Sequence, residues 1–179
     1  LTGEEKQAEY PCYIMAPQIE NNVFLSASSR KSLYDELKTE AERLVKAGRV
    51  DGDRIYIMGY SFGGLATTEF AENYPDYIAA AIVMCPALTY DDSSTQNLKL
   101  MKDVPVWFAH AGGDNVIPVN VSRSAVSTLE ALGAPEVHYT EFSDEEMKTA
   151  GAMYGYHQAD YAVMADEQFM NWLFGKKKK

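Results

Sequence analysis

Apolar positions along this chain fall into two spacings, and their alternation predicts strands separated by helices. Residues 10–16 (YPCYIMA) form a short apolar run bounded by Pro17, which predicts a buried strand. Over residues 29–47, Leu33, Leu37, Leu44 and Val45 recur near helical spacing and Gly48 supplies a stop, which predicts a long helix. A second strand is predicted over residues 54–58 (RIYIM) and a helix over 62–73, ended by Tyr74-Pro75. Residues 77–84 (YIAAAIVM) are apolar throughout. Such continuous runs suit a parallel sheet covered on both faces rather than a half-exposed one. Further strands are predicted over 104–110 and 136–142, and helices over 120–132 and 160–174.

Strands alternating with helices predict an α/β chain of three layers with a mostly parallel sheet and right-handed crossovers. The length of 179 residues fits one domain spanning 1–179. Two longer irregular stretches, 86–103 and 143–158, interrupt the pattern. Loops of that length are often functional, and ligands of such sheets sit outside the carboxyl ends of the strands.

The net charge of −10 argues against nucleic acid or an anionic membrane surface as a partner, because like charges repel. No apolar stretch approaches the ~20 residues that span a bilayer. The basic run at 176–179 reads as a solvated end or an expression remnant. Cys12 and Cys85 both sit in apolar runs and read as buried free thiols. Two cysteines and three histidines lack zinc-ligand spacing, so neither a metal nor a cofactor is expected.

Gly59-Tyr60-Ser61-Phe62-Gly63 carries the chemistry. It is a G-x-S-x-G sequence placed between a predicted strand and a predicted helix, the context of a nucleophile elbow. A sharp turn there lifts the Ser61 hydroxyl above the sheet. It also sets Ser61 at a helix N-terminus, where developing negative charge is favoured and the Phe62 N–H is an oxyanion donor. Gly59 and Gly63 are expected to be needed because side chains there would collide with neighbouring backbone. The competing reading is a glycine-rich phosphate loop. A dinucleotide fingerprint is disfavoured because Ser61 stands at its second glycine.

A serine hydroxyl needs a base. His138 and His157 are the histidines after the acid candidate; His138 lies inside a predicted strand and His157 in the loop before the last helix, so His157 is preferred. His110, at the end of a strand, reads as a packed structural residue. Asp114 follows the fourth predicted strand directly and is the candidate acid, against Asp91 and Asp92 after the third. An Asx turn capping the loop is the structural alternative for Asp114.

The segment RIYIMGYSFGGLATTEFAENYPDYIAAAIVMCPA resembles the elbow region of serine esterases of the α/β-hydrolase superfamily, in the branch of predicted peptidases, polyhydroxybutyrate depolymerases and feruloyl and acetyl-xylan esterases. PCYIMAPQ resembles that branch's strand before the long helix, and DVPVWFAHAGGDNVIPV its acid strand and loop. The resemblance covers about residues 11–174 and departs at the base, where Tyr156 stands in place of the family's frequent glycine before the histidine. It implies an α/β-hydrolase fold and a carboxylic ester hydrolase acting through an acyl-enzyme on Ser61. It also implies a small-molecule or carbohydrate ester substrate, such as a feruloyl or acetyl ester, and a secreted or periplasmic setting. Tyr60, Tyr90, Val116 and Tyr156 are candidates to line the pocket. A serine peptidase or a non-catalytic scaffold of the same fold are the competing expectations. The family also carries a His-Gly strand upstream, which gives a second oxyanion N–H, and no His-Gly precedes Pro11 here. The resemblance therefore implies that N-terminal strands are missing from this chain, and that a further segment or a second chain completes the sheet.

Overall fold

The structure is a computed structural model, and it describes residues 1–18, 26–88, 97–153 and 155–178. The chain divides into two compact units, Leu1–Gly52 and Asp53–Lys179.

Among the described residues the first unit holds two helices, α1 (Glu4–Glu9) and α2 (Ala27–Lys46). The Ser26 hydroxyl accepts from the Ser29 N–H and caps the start of α2. Gly48, at φ 67°, follows its last residues, a conformation glycine adopts without steric cost. The expected strand at 10–16 does not form: residues 11–18 have no regular structure, and Tyr13, Ile14 and Met15 are exposed. An apolar run becomes a strand only when a neighbour takes its backbone groups, and among the described residues no strand pairs with this one.

Among the described residues the second unit is built on four parallel strands, β1 (Tyr56–Tyr60), β2 (Ala80–Met84), β3 (Val106–Ala111) and β4 (Val137–Phe142), lying side by side in chain order. Tyr56 to Tyr60 pair in register with Ala80 to Met84, and Val106 to Ala111 with Val137 to Phe142. The helices between and after them are α3 (Phe62–Asn73), α4 (Asn120–Ala131), α5 (Asp144–Thr149), α6 (Ala159–Ala165) and α7 (Glu167–Gly175). Every residue of β2 is buried. Successive side chains of a strand face opposite ways, so both faces of the sheet are covered, as expected of a parallel sheet. Helix α3 packs on β1 and β2, α4 on β3 and β4, and α7 on β2. The core includes Leu65, Ile82, Phe108, Leu129, Phe169 and Leu173, each almost fully buried. Each such side chain contributes roughly 1.5–3 kcal/mol.

Three local differences from expectation have clear causes. The helix expected over 160–174 breaks at Asp166, which is extended and whose carboxylate accepts from the Gln168 N–H. Its short polar side chain competes with the backbone and starts α7 as a new helix. The stretch 143–158 contains α5, opened by a capping box in which Ser143 and Glu146 bond each other's backbone N–H groups. The basic run is not a loose end: the Tyr56 hydroxyl donates to the Lys176 carbonyl at 2.7 Å, and the Lys178 N–H donates to the Asp53 carbonyl at 2.8 Å. The Lys176 ammonium pairs with Glu136 and lies over the Trp172 ring.

Candidate active site

β1 runs straight into α3 with only Ser61 between them. Ser61 adopts φ 56° and ψ −119°, a conformation rare for a residue with a side chain. Its backbone is held there on both sides: its N–H donates to the Met84 carbonyl at 3.0 Å, and its carbonyl accepts from Leu65 at 3.1 Å and Ala87 at 3.0 Å. Of the two glycines expected to be needed, the turn requires one. A Cβ on Gly59 would lie 2.4 Å from the Gly63 carbonyl oxygen, so Gly59 is required. A Cβ on Gly63 would meet nothing within 4 Å. The crowded partner is Gly64, whose Cβ would lie 2.7 Å from the Met84 carbonyl oxygen and 2.8 Å from the Pro86 Cα. The close packing falls where α3 crosses the end of β2, one residue past the position expected.

The acid loop leaves the end of β3. Asp114 uses both carboxylate oxygens. Oδ1 accepts from the Val116 N–H at 2.8 Å and the Ile117 N–H at 3.0 Å, the Asx-turn arrangement. Oδ2 accepts from His157 Nδ1 at 2.8 Å. The structural and the chemical readings of this residue therefore coexist. Burial by itself would raise the Asp114 pKa. Hydrogen bonds from His110, His157, Val116 and Ile117 outweigh it and hold the carboxyl lowered to about 2.

His157 lies between α5 and α6, and its other nitrogen, Nε2, sits 2.8 Å from Ser61 Oγ. Its loop is interlocked with the acid loop through two glycines. The Asn115 N–H donates to the Gly155 carbonyl at 3.1 Å. Gly155 has φ +60°, and a Cβ there would fall 2.1 Å from Asn115 Oδ1. A Cβ on Gly113 would fall 2.3 Å from Asp144 Oδ1 and 2.9 Å from Tyr156 Cδ2. The buried Cys85 thiol reaches the His157 carbonyl at 3.4 Å. Burial pushes that thiol up to about 12, so it is protonated and can act as the donor.

Three residues far apart in sequence thus form a continuous chain of hydrogen bonds from Ser61 through His157 to Asp114. Cys85, Asp114 and His157 also place potential metal-ligating atoms within 4.8 Å of one another. Both imidazole nitrogens are engaged by Ser61 and Asp114, however, and the thiol faces the His157 carbonyl, so this group does not fit a metal.

Among the pocket candidates, Tyr60 is exposed with its ring 6.2 Å from that of His157, Val116 is exposed beside Asp114, and Tyr156 is half-buried. Tyr90 lies outside the described residues, as do Asp91 and Asp92. His138 is not part of this cluster: it pairs with Glu136 at 3.5 Å and packs against Trp107 and Trp172. His110 is fully buried, with Nδ1 2.8 Å from Ser122 Oγ and Nε2 3.2 Å from Asp114 Oδ2. Its burial agrees with the packed strand-end residue expected from the sequence. Its spacing of four from Asp114, across the turn that ends β3, was the available signal for their contact.

The chain matches the phospholipase/carboxylesterase family over residues 15–154. It belongs to that family. The match takes in Ser61 and Asp114 and stops just before His157. A thermostable esterase of known structure superposes with a TM-score of 0.78 at 29% identity, covering 98% of this chain and 46% of the esterase. The chain of this family member therefore spans less than half of that esterase. Acylaminoacyl peptidase from Pyrococcus horikoshii superposes with a TM-score of 0.60 at 20% identity, over 81% of this chain and 27% of the peptidase. SOBER1 from Arabidopsis thaliana superposes with a TM-score of 0.59 at 15% identity, over 87% of this chain and 67% of that protein. These last two likenesses show the fold alone. No curated protein matches the chain. Family and superpositions agree on an α/β-hydrolase fold.

Proposed function

We propose that this protein is a serine carboxylesterase. The observation that carries the reading is the hydrogen-bonded series Ser61 Oγ, His157 Nε2, His157 Nδ1 and Asp114 Oδ2, with 2.8 Å at both links. Ser61 Oγ attacks the ester carbonyl carbon as His157 Nε2 takes its proton, and the carbonyl oxygen gains the negative charge. Phe62 opens α3, and in this reading its N–H donates to that oxyanion, aided by the positive end of the helix dipole. His157 then returns the proton to the leaving alcohol oxygen as the C–O bond breaks. A water molecule, deprotonated by His157, attacks the acyl-enzyme, and the proton passes back to Ser61 as the acid departs. Asp114 remains ionised throughout, fixing the tautomer of His157 and stabilising its charged form.

We place the second oxyanion N–H on a strand added at the outer edge of β1. Among the described residues β1 pairs only with β2. A further segment of the protein or a second chain would supply that strand.

The rim favours an ester with an apolar or aromatic portion. Tyr60, Phe62, Val116 and Met153 are exposed, and they flank Ser61, follow Asp114 or precede His157 in the chain. Feruloyl esters and long-chain acyl esters fit that description, and acetyl esters of sugars are the comparison. Hydrolysis of short- and long-chain p-nitrophenyl esters, beside feruloyl and acetylated sugar esters, tests the proposal. Turnover of at least one class, lost in Ser61→Ala, supports it. A folded protein that cleaves peptide amides and no ester would replace it with the peptidase reading. A full-length protein, with the added strand in place, that is folded and cleaves neither would favour a scaffold.

A further inference from the structure

We propose that His110 is a positioning residue for Asp114, acting through a fixed N–H on Nε2; the inference rests on the esterase reading of the site. His110 occupies the fifth position of β3, four residues before the carboxylate, and no part of it reaches solvent. Its Nε2 lies 3.2 Å from Asp114 Oδ2 and 3.0 Å from the Ile117 carbonyl oxygen. An ionised carboxylate and a carbonyl only accept, so Nε2 must carry hydrogen. Nδ1 lies 2.8 Å from the hydroxyl of Ser122, itself fully buried on α4. A hydroxyl can donate, so with the ring neutral every polar atom of His110 and Ser122 finds a partner in one arrangement: Ser122 donates to Nδ1, and Nε2–H is shared between Asp114 and Ile117.

That arrangement has a consequence at the reacting atoms. Asp114 Oδ2 receives two imidazole N–H groups, from His157 at 2.8 Å and from His110 at 3.2 Å. Oδ1 is pinned by the N–H groups of Val116 and Ile117. His110 also bonds the Ile117 carbonyl, so it ties the carboxylate to the loop whose N–H groups hold the other oxygen. Rotation of the carboxylate away from His157 would break His110's bond along with His157's. A neutral His110 leaves the full charge of Asp114 to stabilise the imidazolium form of His157, whereas a charged one would cancel it.

The length of the replacement side chain separates this role from simple packing. His110→Gln places an amide N–H near the former Nε2 and keeps the donor. His110→Asn reaches only to the Nδ1 position and loses it, and His110→Phe keeps the bulk without any donor. We expect kcat on p-nitrophenyl acetate to fall about 10–100-fold in His110→Phe and His110→Asn, the scale of a misplaced catalytic group. KM should stay within about twofold, and His110→Gln should recover most of kcat. Nitrogen-15 NMR of the wild-type imidazoles at neutral pH should show His110 with its proton on Nε2. A proton on Nδ1, equal losses in the Gln and Asn variants, or folded His110→Phe within about twofold of wild type would each overturn the proposal. The tautomer reads the hydrogen bond without turnover, so a wild type that cleaves no ester would sink the esterase reading separately.

Discussion

Replacing Asp114 by Asn changes one atom and reverses the direction of a hydrogen-bond chain. In the wild type, Oδ1 accepts from two backbone N–H groups and Oδ2 from two imidazole N–H groups. An amide has one accepting oxygen. If that oxygen stays on Val116 and Ile117, the NH2 group faces His157 Nδ1 and His110 Nε2, donor against donor. His157 then moves its proton to Nε2, where it points at Ser61 and cannot take the serine proton. If the amide flips, its oxygen still accepts from His157 Nδ1, but the NH2 group faces the backbone N–H groups of Val116 and Ile117, donor against donor, and the loop is strained. Imidazoles can move a proton from one ring nitrogen to the other and backbone N–H groups cannot, so the unflipped orientation is favoured; there the base is lost while the shape of the site is nearly unchanged. A base held in the wrong tautomer costs about 10⁴-fold in kcat, or about 5.4 kcal/mol in the barrier. Steady-state hydrolysis of p-nitrophenyl acetate by the folded Asp114→Asn variant reads this directly, with KM changing much less than kcat. A loss of less than about tenfold would refute the reasoning, because it would mean that Asp114 does not set the proton on His157.

The remaining predictions concern the turn and the carboxylate. Gly59→Ala should destabilise the protein by about 1–3 kcal/mol or prevent folding, because its Cβ would lie 2.4 Å from the Gly63 carbonyl oxygen. Gly63→Ala should be neutral or stabilising by up to about 1 kcal/mol, since its Cβ would meet nothing within 4 Å and alanine favours helix; urea unfolding of the two variants checks the contrast, and equal destabilisation would contradict it. Asp114 has a folded pKa of about 2 against an ordinary 3.8, so its ionisation stabilises the fold above pH 3.8. That contribution, on the order of 2 kcal/mol, is lost as pH falls from 3.8 through 2. Denaturant unfolding of wild type and Asp114→Asn between pH 5 and 2 should show the variant with the shallower acid loss, and parallel curves would contradict the assignment.

Much of the fold was legible because parallel strands buried on both faces leave unbroken apolar runs. The runs over 77–84 and 104–110 contain β2 and most of β3, trimmed where residues lack a ladder partner. The same signal misled at 10–16, because apolarity does not carry information about whether a neighbouring strand is present. The break at Asp166 and the start of α5 were written locally, in an Asp N-cap and in Ser143 with Glu146, yet the apolar period and the loop reading overrode them. In the site, Ser61 could be located from its own turn, and Asp114 from the strand before it. The choice between Gly63 and Gly64 could not, since the crowding on Gly64 comes from Met84 and Pro86, on and just past the next strand. The hydrogen bonds of His110 are not legible for a related reason: its partner Ser122 becomes a neighbour only once α4 folds back on β3.

The most direct test of the account is whether the Ser61 hydroxyl is an activated nucleophile. Incubation with a fluorophosphonate, followed by intact-mass and peptide mass spectrometry, should give one adduct per chain located on Ser61. The adduct should be absent in Ser61→Ala and strongly slowed in Asp114→Asn. A folded protein that takes up no fluorophosphonate, or one whose adduct persists in Ser61→Ala, would contradict it.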